Sequence, residues 1–275
     1  MLRSAVVVRV SRTARGMVAL ALLVVCVVYA SLVNMERPTL GCSDRQTPLI
    51  PPVPCRDDLS VAAQKWFSVT ARAAEVGVFK GLFAAKNLKH WSGDYYLIDA
   101  WQYREDDAKK GKHGGDKNFA SNEVNVAHME GARKNALAAA GPNSTRIHLI
   151  RDLSVSAASR FPDQHFDWLY IDAMHDYENV LNDLEAWWPK LRPGGLFSGD
   201  DYGDFLGSPL MSAERFSTVF GSVAVNWKWG VQRAVNEFCE RRRLVHHVTW
   251  ANDCYQIPAW YIIKPLSCRQ HRSWF

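Results

Sequence analysis

Residues 167–202, DWLYIDAMHDYENVLNDLEAWWPKLRPGGLFSGDDY, leave few folds open to this chain. They read as a buried strand ending at Asp172, an amphipathic helix over 177–188, a Pro-Gly-Gly turn, and a strand over 196–198 that leads into Asp200 and Asp201. Two parallel strands cannot be joined by a hairpin, so a helix between strands at this spacing implies a parallel crossover. Open α/β sheets bring the last residues of their strands to the carboxyl edge, where ligands bind. Asp172, His175, Asp200 and Asp201 are therefore expected on one rim. Clustered acids repel one another unless a cation neutralises them, and Mg²⁺ binds through one or a few carboxylates while keeping water and substrate oxygens. Asp172, Asp200 and Asp201 are the candidate ligands. His175, of a residue type with an ordinary pKa near ~6.5, is a candidate general base.

The rest of the chain continues the alternation. Strands are expected over 73–78, 95–98, 146–150 and 167–171, with helices over 81–90, 123–140, 155–160 and 177–188. A helix over 231–242 precedes two late strands, 246–250 and 259–264, and a first helical pattern covers 59–68. Residues 103–118, rich in charge and glycine without periodicity, read as an exposed loop. The fold class is a single doubly wound α/β domain, a mostly parallel sheet with helices on both faces. Trp187, Trp188, Trp227 and Trp229 are expected to be core or pocket walls.

Glu75, Gly77 and Gly81 fall where the first strand turns into the first helix. Gly77 permits a tight turn and close approach of a ligand, and Gly81 permits close helix packing. The pattern is not GxGxxG and no GKS or GKT follows, so neither a dinucleotide nor a nucleoside triphosphate gains support. Asp99, at the end of the second strand, can accept hydrogen bonds from a ribose diol; a strand-end cap is the plainer role for it. Asp152 and Ser154 follow the third strand, where an acid can meet an adenine amino group or cap the next helix.

Length and a 48% hydrophobic content allow one substantial core. Net charge is +5, but Arg3, Arg9, Arg12 and Arg15 all precede the first acidic residue, Glu36, so the domain carries no nucleic-acid footprint. Residues 17–33, MVALALLVVCVVYASLV, are uncharged over the shortest length that spans a hydrocarbon core of ~30 Å. The basic flank before this run suggests a type II membrane anchor with residues 1–16 in the cytosol and a lumenal domain in the Golgi or ER. A signal peptide cut near Ala30, giving a secreted protein, and an Arg-rich mitochondrial presequence remain alternatives. Residues 34–58 are proline-rich and read as a stem, with the domain proper over 59–275. Cys42, Cys55, Cys239, Cys254 and Cys268 show no CxxC spacing; an oxidising lumen would allow two disulfides and one thiol. Asn143-Ser144-Thr145 is a glycosylation sequon that suits such a compartment.

Taken together, AEVGVFKG, YLIDAW, the 168–202 block, GVQRAVNEF and WANDCYQIPAWYIIK resemble the class I S-adenosylmethionine-dependent methyltransferases. Within that class the similarity is to the metal-dependent sugar O-methyltransferases of the macrocin and aminocoumarin type, over residues 75–265. It implies a Rossmann-like fold, S-adenosylmethionine and Mg²⁺ as cofactors, and a sugar, glycan or other small hydroxylated acceptor. Carried over, it puts Glu75 and Gly77 near the methionine part of the cofactor, Asp99 on the ribose, and Asp152 and Ser154 near the adenine. It makes Asp172, Asp200 and Asp201 metal ligands, with His175 or Asp172 as the base. The family usually has Gly-Asp between Asp172 and His175, where this chain has Ala173-Met174, a change on the rim that faces the acceptor. A domain of the same fold that binds cofactor or glycan without catalysis is the rival reading. An NAD-dependent oxidoreductase would need the absent GxGxxG turn.

Overall fold

A computed structural model describes residues 52–102, 121–203, 230–249 and 257–266, all within one compact unit, Gln46–Phe275. The apolar run 17–33, the loop 103–118, Trp227 and Trp229 lie outside the described residues. Among the described residues no helix is long and apolar enough to cross a membrane.

In chain order the elements are α1 (Leu59–Trp66), β1 (Arg72–Val76), α2 (Leu82–Asn87), β2 (Asp94–Asp99) and α3 (Asn122–Ala140). They continue with β3 (Ile147–Arg151), α4 (Ser154–Ala158), β4 (Phe166–Ile171), α5 (Tyr177–Trp187), β5 (Leu191–Gly199), α6 (Val231–Arg242), β6 (His247–Val248) and β7 (Trp260–Ile263). The seven strands form one sheet in the order β3-β2-β1-β4-β5-β7-β6. The first five are parallel, while β7 is antiparallel to both β5 and β6. The expected doubly wound sheet is thus mixed.

Alternation along the strands builds a core on each face. Ala73, Trp168 and Tyr170 pack with Leu59 and Ala63 of α1, Phe83 of α2, and Ala132 and Ala136 of α3. Ala74, Val76, Leu169 and Ile171 pack with Leu184 and Trp187 of α5 and Ala234 and Phe238 of α6. Trp187 is fully buried, and Trp188 packs against Phe197 and Phe238.

Two segments differ from the sequence reading. The Pro193-Gly194-Gly195 turn is absorbed into β5, where the register with β4 shifts between Phe166 and Trp168. Proline has no N–H for a regular ladder, and Gly194 takes a φ of +76°, so the segment bulges rather than turning back. Its backbone pairs with Lys264 instead, Gly194 N–H donating to the Lys264 carbonyl at 2.7 Å and Lys264 N–H to Gly195 at 2.9 Å. The second difference is at the end of the proline-rich stem, which packs on the domain. Val53 is buried and its N–H donates to the Tyr261 hydroxyl at 3.1 Å. Cys55 is disulfide-bonded, and Arg56–Asp58 form a turn of 3₁₀ helix leading into α1.

Candidate functional site

The chain runs outward from β1 to β3, then crosses back to β4, so β1 and β4 are neighbours at a point where the order reverses. Their carboxyl ends meet at Gly77 and Asp172. A Cβ on Gly77 would lie 1.9 Å from the Asp172 carbonyl oxygen, and its φ is +91°. Strand-to-strand packing is therefore enough to require glycine there. Gly81, at φ +70°, packs against Ala132 of α3, whose Cα would be 2.7 Å from an added Cβ. This is the helix contact its position predicts.

Between these glycines the loop wraps around Asp99. The Val78 and Phe79 N–H groups both donate to Asp99 Oδ2 at 2.8 Å, and the Trp101 N–H donates to Oδ1 at 2.8 Å. Phe79 and Trp101 have positive φ, a conformation costly for bulky residues and held here by those bonds. Burial raises the Asp99 pKa above its ordinary value, with the three backbone donors pulling it back. Asp99 thus organises the loop and retains one Oδ1 lone pair's worth of acceptor capacity by ordinary carboxylate valence.

Glu75 is fully buried beside Tyr170, its register partner on β4. The Tyr95 hydroxyl donates to Glu75 Oε2 at 2.7 Å and accepts from Asn87 Nδ2 at 2.9 Å. Burial pushes the Glu75 carboxyl up to about 8, against the lowering effect of the Tyr95 bond. The Tyr170 hydroxyl is buried with no hydrogen-bond partner among the described residues.

On the rim the structure gathers Asp172, His175 and Asp201. His175 Nε2 lies 3.3 Å from Asp172 Oδ1 and 3.1 Å from Asp201 Oδ2. One ligand atom from each of the three residues falls within 4.8 Å of the others. His175 is fixed from behind by α6, since the Gly230 N–H at its start donates to the His175 carbonyl at 2.9 Å. Asp201 reaches the cluster through a left-handed backbone, φ +57°. Asp200 is not brought into this group. It is buried and ion-paired with Arg56, which arrives from the 3₁₀ turn before α1. The cation that offsets this acid is thus a guanidinium of the chain. Two carboxylates and an imidazole remain as the donor set that fits a divalent cation, with fewer oxygens than the expected triad.

The third-strand residues have partners within the chain. Asp152 Oδ1 accepts from the Leu153 N–H at 2.8 Å, and Arg160 lies 3.6 Å from its Oδ2. Ser154 accepts from Trp187 Nε1 at 2.9 Å and bonds Asp183, so its hydroxyl is engaged beneath α4. Arg56 is the site residue that the sequence reading missed. Its only local signal is a charged residue beside a cysteine in a proline-rich segment, which does not say where the side chain goes.

Residues 74–202 match a family model described as a methyltransferase domain. An O-methyltransferase family protein from Burkholderia thailandensis shares the fold, with a TM-score of 0.51 at 13% identity over 77% of this chain and 55% of that one. The chain thus spans little more than half of that protein's length. An O-methyltransferase from Bacillus cereus, solved in complex with SAH, aligns at 17% identity and a TM-score of 0.46, covering 79% of this chain and 84% of that one. No curated protein matches the sequence.

Proposed function

We propose that the chain is an S-adenosylmethionine-dependent O-methyltransferase acting on a hydroxyl of a sugar, glycan or similar small acceptor. The observation that carries this reading is the pairing, at one strand crossover, of an Asp99-braced glycine loop with the Asp172, His175 and Asp201 cluster. The matching methyltransferase-domain model over residues 74–202 supports it. S-adenosylmethionine supplies the methyl group. Asp99 holds the ribose, with Glu75 below the amino-acid end of the cofactor. Asp152 borders the adenine side.

The Asp172–His175 pair takes up the proton of the acceptor hydroxyl, and Asp201, 3.1 Å from Nε2, helps to stabilise the imidazolium form. Positioning the acceptor oxygen in line with the methyl group supplies much of the remaining rate. A divalent cation such as Mg²⁺ would be held by Asp172 and Asp201 and would supply positive charge beside the acceptor oxygen. Nε2 is engaged by the two carboxylates, so the carboxylates alone would serve the metal in this scheme.

The decisive experiment is calorimetric titration of the full chain with S-adenosylmethionine, followed by labelled methyl transfer to a panel of hydroxylated sugars with and without chelator. His175→Ala is expected to lower kcat by about 10²–10⁴ while leaving cofactor affinity within twofold. Absence of cofactor binding, or unchanged turnover in the variant, would refute the reading.

The apolar run 17–33 is proposed to anchor this domain on the lumenal side of a Golgi or ER membrane. A disulfide at Cys55 and an exposed sequon at Asn143 support an oxidising compartment.

A further inference from the structure

We propose that Arg56 anchors the carboxylate at the amino-acid end of S-adenosylmethionine, an inference that rests on the methyltransferase reading above. The guanidinium is ion-paired with Asp200 and sits 5.0 Å above the Phe83 ring. Phe83 in turn packs against Tyr170, ring centroids 4.5 Å apart, and Tyr170 is the register partner of Glu75 across β4 and β1. In this group Glu75, Tyr170 and Asp200 are buried, whereas the Arg56 side chain is 20% exposed. Arg56 is therefore where a ligand arriving at the carboxyl edge first meets the group.

Two further observations point to a ligand. The Tyr170 hydroxyl is fully buried without a hydrogen-bond partner among the described residues, a costly state unless another polar group completes it. Beside it, Glu75 is a buried acid bonded to Tyr95. A carboxyl, a hydroxyl and a guanidinium together complement a zwitterion, whose ammonium suits the first two and whose carboxylate suits the third. A guanidinium carries five N–H donors in a rigid fork, so it can serve Asp200 and a ligand carboxylate together. Burial of Val53 and the Cys55 disulfide hold the strap that presents Arg56, so the anchor is preorganised.

The test compares two nucleosides on the full chain by calorimetry. S-adenosylhomocysteine carries the amino-acid end; 5′-methylthioadenosine keeps the nucleoside and sulfur but lacks it. Arg56→Met is expected to weaken S-adenosylhomocysteine roughly ten- to a hundredfold, the usual loss for a charged hydrogen bond, and to leave methylthioadenosine within twofold. Arg56→Lys, which keeps the charge opposite Asp200 but loses the fork, should show a smaller loss for S-adenosylhomocysteine alone. Equal weakening of both ligands, or no change in either, overturns the proposal, because Arg56 would then only support the fold or only neutralise Asp200. Should the unaltered protein bind neither nucleoside, the methyltransferase reading falls first and the anchor with it. Binding of both with no selective loss in either variant removes the anchor alone.

Discussion

Asp183 lies on the inner face of α5, 4% exposed. Loss of solvent pushes its pKa up to about 7, a hydrogen bond with Ser154 pulls it back, and nearby Asp176 adds to the rise. The folded state thus holds this proton more tightly than the unfolded chain, whose value is the ordinary 3.8. Its stabilising contribution is complete below that ordinary value and is lost as pH rises toward about 7. Asp183→Asn keeps the shape and removes the titration, so its thermal midpoint should vary less than the parent's between about pH 5 and pH 8 and exceed it at the upper end. Parallel midpoint curves for the two proteins would show that another group carries the effect. The same contact shows what engages the Ser154 hydroxyl within the chain. A serine at the start of a helix after a strand can face a ligand or the core, and only Trp187 and Asp183 beneath it decide which.

The helices follow their local chemistry closely, and α6 has the bounds its periodicity predicts, Val231–Arg242. It ends on Arg243, a non-glycine residue at φ +53°, with the Leu244 N–H donating to the Cys239 carbonyl at 2.9 Å. Glycine adopts that conformation without the Cβ penalty, so Arg243→Gly should stabilise the protein by about 1 kcal/mol in a urea titration. A loss of stability would mean that the arginine side chain contributes more than its backbone costs. Element β5 taught the opposite lesson. Pro193-Gly194-Gly195 carries the residues of a turn, but the same residues suit a bulge, and the pairing partner that decides between them, Lys264, is remote in the chain.

For the whole molecule, the alternation of strands and helices was legible, as was the crossover that gathers strand ends at one edge. The placement of the antiparallel β7 between β5 and β6 was not, since apolar alternation is the same for either strand direction. The proposed lumenal location has its own readout. Asn143 is exposed in the 3₁₀ turn Gly141–Arg146, so protein made in a secretory host should carry a glycan there. Glycosidase treatment should shift its gel mobility, and Asn143→Gln should remove the shift; an unmodified Asn143 in secreted or membrane-bound material would count against lumenal exposure.

The α/β class, most element positions and the rim on which Asp172 and His175 stand follow from the order of residues alone, because periodicity and strand ends are local properties. Which acids act together depends on long-range packing. Asp200 and Asp201 are adjacent in the chain, yet one is buried against Arg56 and the other turns to His175 through a left-handed backbone. The partner that separates them comes from a segment before the first helix, and no spacing within the 167–202 block encodes its arrival.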